Sequence, residues 1–347
     1  MTMSCNWVPR LGVGFAMVVA TAGAAAAAEV NVYTYREQPL IQPIFDQFTK
    51  ETGIRVNVVF SNKGLEERIR AEGAASPADL FIAVDAAILE KAKAMGIGQP
   101  IKSAAVDKAV PAQFRDHDGT WVGLTYRARI FYVSKERVKD TSLTYADLAD
   151  PKWKGKLCVR SGQHPYNIAL IASMITHLGP DKTEAWLKGF KQNLAAKPSG
   201  NDRSQVKAVY SGECDIGVGN TYYYGLMATN EKEPEQKEWA KSVRVVMPTF
   251  ASGGSHVNIS GALLAKNAPN RDAALKLVEF MVGGEAQKLY AELNFEYPVV
   301  AGVAPTPLIA DLGKLEADKA SFAEIAKNRT KASELVDKVG FDDGPGS

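Results

Sequence analysis

The stretch EVNVYTYREQPLIQPIFDQFTKETGIRVNVVF, residues 29–60, decides the fold class. Its first seven residues form a short run of largely alternating apolar and polar side chains, a pattern typical of a half-buried strand. An amphipathic segment follows over residues 40–52 and stops at Gly53, a residue type that favours helix ends. A second strand pattern covers residues 54–60. A strand, a helix and a second strand in this order predict an α/β domain with a mostly parallel sheet.

The same alternation continues outward from this stretch. Strand patterns recur at residues 79–84, 157–160 and 216–218, and helical patterns at 64–72, 167–179, 183–194, 202–210, 271–283 and 285–293. Two α/β halves without a long linker predict two lobes joined by crossing strands, for which residues 123–133 and 243–247 are the candidates. We expect a first lobe from residues 29–127 plus 248–300 and a second from 128–247 plus 301–347. Open α/β sheets bind ligands beyond the carboxyl ends of their strands, so the site is expected in the cleft between the lobes.

Residues 1–28 have the pattern of a cleavable secretory signal. Arg10 precedes an apolar stretch over residues 11–20, and an alanine run at 24–28 offers the small residues that precede a cleavage site. The predicted mature chain begins at Glu29 and is exported as a soluble protein. The alternative, a membrane anchor, requires a longer and more hydrophobic segment than this alanine-rich one.

Charge and cysteine content narrow the classes of function. Arg10 is the only charged residue of the predicted signal, so 41 basic residues become 40 against 39 acidic ones. A nearly neutral chain gives no support for nucleic acid binding. Cys158 and Cys214 remain after cleavage, and an even pair in an oxidising compartment predicts a disulfide. Metal ligation by these two cysteines is the alternative.

Three consecutive tyrosines, residues 222–224, follow the run CDIGVGNT at residues 214–221. They lie where a predicted strand turns into a helix. Each buried phenol needs a hydrogen-bond partner, so such a run is a costly way to fill a core. It can instead supply hard anionic oxygens to a highly charged cation, because a bound metal ion favours the deprotonated phenol. The triplet by itself leaves both interpretations open: metal ligands, or one core tyrosine with two at the surface.

Seven short motifs along the predicted mature chain carry a family resemblance. They are VYTYR at residues 32–36, SPAD at 76–79, WVGLTYRAR at 121–129, PKWKGK at 151–156, RSG at 160–162, GNTYYY at 219–224 and NFEYP at 294–298. Together they resemble the periplasmic ferric-iron binding proteins of bacterial ABC transporters, which have the two-lobed type II solute-binding fold. SPAD and PKWKGK occur widely among solute-binding proteins, whereas the tyrosine run is more specific.

The resemblance implies that two adjacent tyrosines, here Tyr222 and Tyr223, bind Fe(III) through their phenolate oxygens. Tyr224 need not be a ligand. One subgroup of the family supplies a third tyrosine from the segment after the RSG motif, which is Tyr166 here; packing of an aromatic residue at a helix start is the alternative for Tyr166. Three phenolates would neutralise Fe(III), and hard oxygen ligands suit a hard cation.

Another subgroup uses a His and a Glu from the first lobe. These positions fall here at Glu37 and near Val84, so the His/Glu pattern is absent and the three-tyrosine pattern fits better. Glu37 stays open between direct coordination, a hydrogen bond to a ligand when the lobes close, and an ion pair with Arg36. Tyr35 and Asn220 are further candidates for contacting the metal or orienting its ligands.

The resemblance also implies a small synergistic anion, commonly carbonate, beside the metal. Its predicted partner is Arg127, because a guanidinium offers paired donors in fixed geometry; an ion pair between Arg127 and an acidic residue is the alternative. Ser161 and Gly162 are predicted to add donors near the start of the helix that carries Tyr166. Arg129 is the second candidate, since residues two apart on a strand share a face.

The predicted function is therefore capture of Fe(III) with an anion and delivery to an ABC permease of the inner membrane, performed by a monomer. The alternative is a protein of the same fold that binds a small organic solute such as a polyamine, thiamine or a phosphonate. An enzyme is not predicted, because the sequence has no nucleophile elbow, no phosphate-binding loop and no paired catalytic carboxylates. The four histidines are scattered without ligand spacing, at His117, His164, His177 and His256.

Overall fold

A computed structural model describes residues 1–4 and 28–346 of the chain. Most of the predicted signal, residues 1–28, therefore lies outside the described residues. Within them, no helix is long and apolar enough to span a membrane.

The strands of the described part are β1 (Glu29–Thr34), β2 (Arg55–Phe60), β3 (Leu80–Ala83), β4 (Gly98–Gln99), β5 (Trp121–Ser134), β6 (Leu157–Cys158), β7 (Ile216–Asn220), β8 (Val243–Val246), β9 (Val257–Ala265) and β10 (Tyr297–Pro298). Its α-helices are α1 (Gln38–Thr52), α2 (Leu65–Glu72), α3 (Ala86–Ala94), α4 (Ala104–Ala109), α5 (Pro165–Leu178), α6 (Pro180–Gln192), α7 (Asp202–Ser211), α8 (Thr221–Ala228), α9 (Glu235–Ser242), α10 (Arg271–Met281), α11 (Gly284–Asn294), α12 (Pro307–Ala310), α13 (Phe322–Lys327) and α14 (Arg329–Lys338). Short 3₁₀ turns, Tyr145–Ala149 and Pro151–Trp153 among them, join several of these elements.

The predicted strand–helix–strand unit at residues 29–60 is β1, α1 and β2. Helix α1 buries four apolar side chains at the spacing of one helical face, Ile41, Ile44, Phe45 and Phe48. It ends at Gly53, whose φ of 72° is left-handed and whose N–H donates to the Thr49 carbonyl at 2.9 Å. Strand β1 then pairs in parallel with β2 on one side and β3 on the other, which confirms the expected parallel arrangement.

Strand β5 joins the two lobes. Its residues 121–128 pair with β9 in the first sheet, and its residues 129–134 pair with β7 and β8 in the second. The strand order across both sheets is β2-β1-β3-β9-β5-β7-β6. The predicted crossing at residues 123–133 is thus confirmed, but the one at 243–247 is wrong. That segment forms β8 wholly within the second sheet, and the chain returns to the first sheet only between β8 and β9.

Separate hydrophobic cores lie in the two lobes. The first-lobe core draws on residues 30–124 and 259–299, and the second-lobe cores draw on residues 128–257 and 325–341. Phe250 and Val257 pack in the second lobe, because the return to the first sheet is made by β9. The lobe boundary therefore falls later than the predicted residue 248.

The Cys158–Cys214 disulfide is present in the structure, with a Cα–Cα distance of 5.9 Å. Cys158 ends β6, and Cys214 lies just before β7. Strands β6 and β7 are parallel neighbours, so the disulfide ties together two strands that are already hydrogen-bonded. This prediction is confirmed.

Candidate metal-binding site

The predicted tyrosine ligands lie in the first turns of two second-lobe helices. Tyr222 and Tyr223 follow the end of β7 and occupy the second and third positions of α8. Tyr166 occupies the second position of α5, after Pro165. A helix N-terminus carries partial positive charge, so both first turns favour oxygen ligands in their anionic form.

The structure brings these three phenols together. The hydroxyl oxygens of Tyr166 and Tyr222 are 3.1 Å apart. The rings of Tyr222 and Tyr223 lie 4.3 Å apart between centroids, tilted by 32°. Tyr224 instead packs against the core of the second lobe and does not line the pocket beside them.

A pocket of about 260 Å³ between the lobes contains the tyrosines. The first lobe lines it with Tyr35, Arg36, Glu37, Leu40, Val84, Asn294 and Glu296, and Arg127 lines it from the crossing strand. The second lobe lines it with Tyr166, Arg203, Tyr222, Tyr223 and Leu226. The pocket thus lies between the lobes, where the sheet topology predicts that a ligand binds.

Burial holds Tyr222 and Tyr223 in their neutral form. It raises the pKa of Tyr222 well above the ordinary value of 10, and the nearby Tyr166 and Tyr223 phenols add to the shift. It also raises the pKa of Tyr223 to about 12, again with a contribution from Tyr166. Without a bound cation Tyr222 and Tyr223 are therefore phenols, which only a strong positive charge can convert into phenolates.

Four guanidinium groups surround the cluster. Those of Arg127, Arg129 and Arg160 lie 5.8, 5.9 and 5.5 Å from the centre of the Tyr166 ring. That of Arg203 lies 5.0 Å from the Tyr223 ring. Of these four, Arg127 and Arg203 line the pocket and give its wall positive charge that suits anionic ligands.

The arginines differ in whether a carboxylate neutralises their charge. Arg129 donates to Asp202 at 2.8 Å, and Arg160 donates to the same carboxylate at 3.1 Å. Arg127 donates to the carbonyl of Val84 and has no ion pair with any described residue. No acidic partner of Arg127 is therefore found among the described residues, and Arg127 lines the pocket.

Ser161 and Gly162 do not serve the cleft as predicted. The Ser161 hydroxyl and the Gly162 N–H both donate to the Asp342 carboxylate at 2.6 Å. A Cβ on Gly162 would meet the Phe341 ring at 2.7 Å, so this turn is pressed against the C-terminal segment. Its donors do bind an anion, but that anion is a side chain of the same chain.

Tyr35 and Asn220 have other partners. The Tyr35 hydroxyl donates to Glu66 and accepts from the Leu65 N–H at 2.8 Å, so it is fixed within the first lobe although the residue lines the pocket. The Asn220 side-chain oxygen accepts from Arg129 at 3.3 Å, and the backbone N–H of Asn220 donates to Asp202 at 2.9 Å. Asn220 thus anchors the junction of β7 and α8 rather than lining the pocket.

Glu37 is exposed at the N-terminal end of α1 and lines the pocket from the first lobe. Its predicted ion pair with Arg36 is not formed, because Arg36 makes a buried two-point ion pair with Glu296. The other two interpretations of Glu37, coordination and a hydrogen bond on closure, remain.

Sequence reasoning missed Arg203 and Glu296. Glu296 lies in the NFEYP motif, which served only as a family landmark, and it also accepts from Thr125 at 2.7 Å. Arg203 is the second residue of α7 and belongs to no sequence motif. His164 caps α5 by accepting from the Tyr166 N–H, and burial lowers the pKa of His164 to about 4.

Comparison with known proteins places the chain in a family. A model of bacterial extracellular solute-binding proteins matches residues 75–313. The chain belongs to that family. Among these proteins, Iron uptake protein A1 of Synechocystis is 42% identical over 315 residues, covering 90% of this chain and 87% of its own.

Solved structures of solute-binding proteins share the same architecture. A Bordetella ferric binding protein is 52% identical and superposes with a TM-score of 0.86, covering 90% of this chain and 99% of its own. A Trichodesmium protein solved with iron and citrate is 42% identical with a TM-score of 0.85, covering 90% and 100%. The prediction of a two-lobed type II binding-protein fold is confirmed.

Proposed function

We propose that this protein binds Fe(III) through the phenolate oxygens of Tyr166, Tyr222 and Tyr223. The observation that carries the proposal is the convergence of three phenols from two helix starts on one interlobe pocket, with hydroxyl oxygens of the first two 3.1 Å apart. No group of three His, Cys, Asp or Glu side chains suited to a metal occurs within the described ranges. Tyrosine oxygens are thus the ligand set that this pocket offers.

The donor set selects the ion by charge and hardness. Three phenolates carry three negative charges and balance a trivalent cation, whereas soft ions prefer sulfur ligands. The two helix starts and the arginines around Tyr166 would stabilise the negative oxygens that form when the metal binds. The names of relatives as iron uptake and ferric binding proteins agree with this choice.

Three ligands leave positions on an octahedral ion for an anion. Arg127 supports such an anion, because its guanidinium lines the pocket without a carboxylate partner. Carbonate fits a bidentate interaction with one arginine. A polycarboxylate is the other candidate for this position, since the Trichodesmium relative was solved with iron and citrate.

The protein acts, in this proposal, as a monomeric periplasmic carrier that delivers its iron to an ABC permease of the inner membrane. The signal-like N-terminus and the names of periplasmic relatives support export. Glu37 would reach the metal or one of its ligands from the first lobe when the lobes close. The carrier performs no covalent chemistry.

Loading with Fe(III) and bicarbonate tests the proposal. Phenolate-to-Fe(III) charge transfer absorbs visible light, so the loaded protein is expected to be coloured and to contain one iron by elemental analysis. The double change Tyr222→Phe and Tyr223→Phe should abolish both signals, and Tyr224→Phe is the matched control that should keep them. A wild-type protein that stays colourless and contains no iron after loading would contradict the proposal. Binding of an organic solute that survives the double change would favour the alternative function.

A further inference from the structure

A second, much smaller cavity lies beside the ligand pocket. Its volume is about 10 Å³, and it shares Arg127 and Tyr166 with that pocket as lining residues. Its full lining is Arg127, Arg129, Tyr166, Asn220, His256 and Asn258. The cavity therefore touches both segments that join the lobes and the strand end that precedes Tyr222.

Four side chains around this cavity each bury a polar atom that has no hydrogen-bond partner within the described chain. The atoms are Arg127 Nη1, Arg129 Nε, Asn220 Nδ2 and His256 Nδ1. All four residues are only 2–3% exposed. Buried polar atoms in folded proteins almost always bind a protein group or an ordered water molecule. Four such atoms on one cavity therefore indicate a ligand.

The chemistry of the four atoms defines that ligand. The two arginines and Asn220 present N–H donors, so the ligand must accept hydrogen bonds, and a cation is excluded. Burial and the neighbouring Arg129 and Arg127 lower the pKa of His256 to about 3, so its imidazole is neutral and has one accepting nitrogen. A ligand that also donates to this nitrogen satisfies the set. One water molecule does both for three of the four atoms, since it can accept two hydrogen bonds while it donates one to His256, and a cavity of this size holds one water molecule.

We propose that this cavity is a binding site for one structural water molecule, which accepts from Arg127 and its neighbours and donates to His256. His256 is then a positioning residue for Arg127. The effect of His256 on anion binding rests on the function proposed above, whereas the water site does not depend on that function. The water would fix one side of the Arg127 guanidinium while the Val84 carbonyl fixes another, and this would hold its charge towards the ligand pocket.

Crystallography of the metal-free protein tests the site directly. We expect one water peak within about 3.2 Å of at least three of the four atoms. The same crystals soaked in sodium bromide should show no anomalous peak there. A bromide peak in the cavity, or a cavity without any ordered scatterer, would overturn the proposal.

Variants of His256 test the positioning role. The measured quantity is the ratio of Fe(III) affinities with and without added bicarbonate. We expect His256→Leu to lower this ratio roughly tenfold, because a hydrogen bond that orients a charged group is lost. His256→Asn retains an acceptor and should restore most of the ratio. An unchanged ratio in a folded His256→Leu protein would overturn the positioning role. A wild-type protein that binds no iron would refute the proposed function and leave the crystallographic result standing.

Discussion

At the scale of single residues, the proposed metal site would exchange protons for a metal ion. The metal-free protein holds Tyr222 and Tyr223 as neutral phenols, since burial raises the pKa of both. The guanidinium groups near Tyr166 and the helix starts work in the opposite direction, but without a bound cation they leave the phenols protonated. If Fe(III) binds these tyrosines as proposed, it must therefore displace their protons.

This exchange gives the iron affinity a defined dependence on pH. Protons compete with Fe(III) for phenolate oxygens whose pKa values lie above neutrality, so the apparent affinity must rise with pH. We expect a rise of about tenfold per pH unit for each proton released, with up to three protons from the three tyrosines. Competition against a chelator of known protonation, measured between about pH 6 and pH 8, gives the slope. A slope of zero would show that phenolates are not the ligands.

The planar guanidinium of Arg127 is predicted to make Fe(III) affinity depend on bicarbonate. Arg127→Lys keeps the positive charge but replaces the planar fork with a point charge. The dependence of Fe(III) affinity on bicarbonate should fall by roughly tenfold, while the charge-transfer band of the phenolates persists. Spectroscopic titration with and without bicarbonate measures both quantities. Arg137→Lys is a matched control on an arginine outside the pocket, where it pairs with Asp215. Equal bicarbonate dependence in the Arg127→Lys protein and the wild type would contradict the assignment.

At the scale of elements, the junction of β7 and α8 sets the positions of Tyr222 and Tyr223. Gly219 lies in this junction, and a Cβ there would meet the Tyr132 ring of β5 at 2.2 Å. The Tyr132 hydroxyl donates to the Asn220 carbonyl at 2.5 Å. The absence of a side chain at residue 219 therefore lets β5 hold the strand end directly before the ligands.

Gly219→Ala should disturb this junction. We expect it to lower the free energy of unfolding by about 1–3 kcal/mol, because Tyr132 must move to make room. Iron affinity should fall as well, since the shift occurs three residues before Tyr222. Gly284→Ala at the start of α11 is the control, as its added methyl meets nothing within 4 Å. Thermal unfolding of the two variants gives the comparison, and equal stability would contradict the proposed packing role.

The elements also show which features local sequence predicts. The elements of residues 29–60 were predictable, because the strand alternation, the helical face and the helix end at Gly53 each depend only on residues close together in sequence. The role of residues 243–247 was not predictable from local sequence. Which sheet a strand joins depends on a pairing partner that is distant in sequence. Ser161 and Gly162 were misassigned for the same reason: the carboxylate that occupies their donors belongs to Asp342, about 180 residues further along. Arg203 and Glu296 reach the pocket only through tertiary packing.

At the scale of the whole molecule, the proposed ligands are divided unequally between the lobes. All three tyrosines belong to the second lobe, and the first lobe faces them with Glu37, Tyr35 and Leu40. Iron can therefore meet its phenolate ligands on the second lobe before the first lobe closes over it. Hinge bending at β5 and at the segment between β8 and β9 would then decide how long the ion stays.

This division predicts separate effects on colour and on release. Glu37→Gln removes a first-lobe carboxylate and leaves every tyrosine in place, so the charge-transfer band should keep its intensity. Iron transfer to an excess of chelator should become faster by roughly tenfold, because one contact that holds the closed state is lost. Stopped-flow decay of the visible band measures the rate, and Glu285→Gln on exposed α11 of the same lobe is the control. An unchanged rate would mean that closure does not use Glu37. Loss of the band would mean that the metal cannot bind the phenolates without the Glu37 carboxylate. The inferred order, in which iron binds the second-lobe tyrosines before the first lobe closes, would then be wrong.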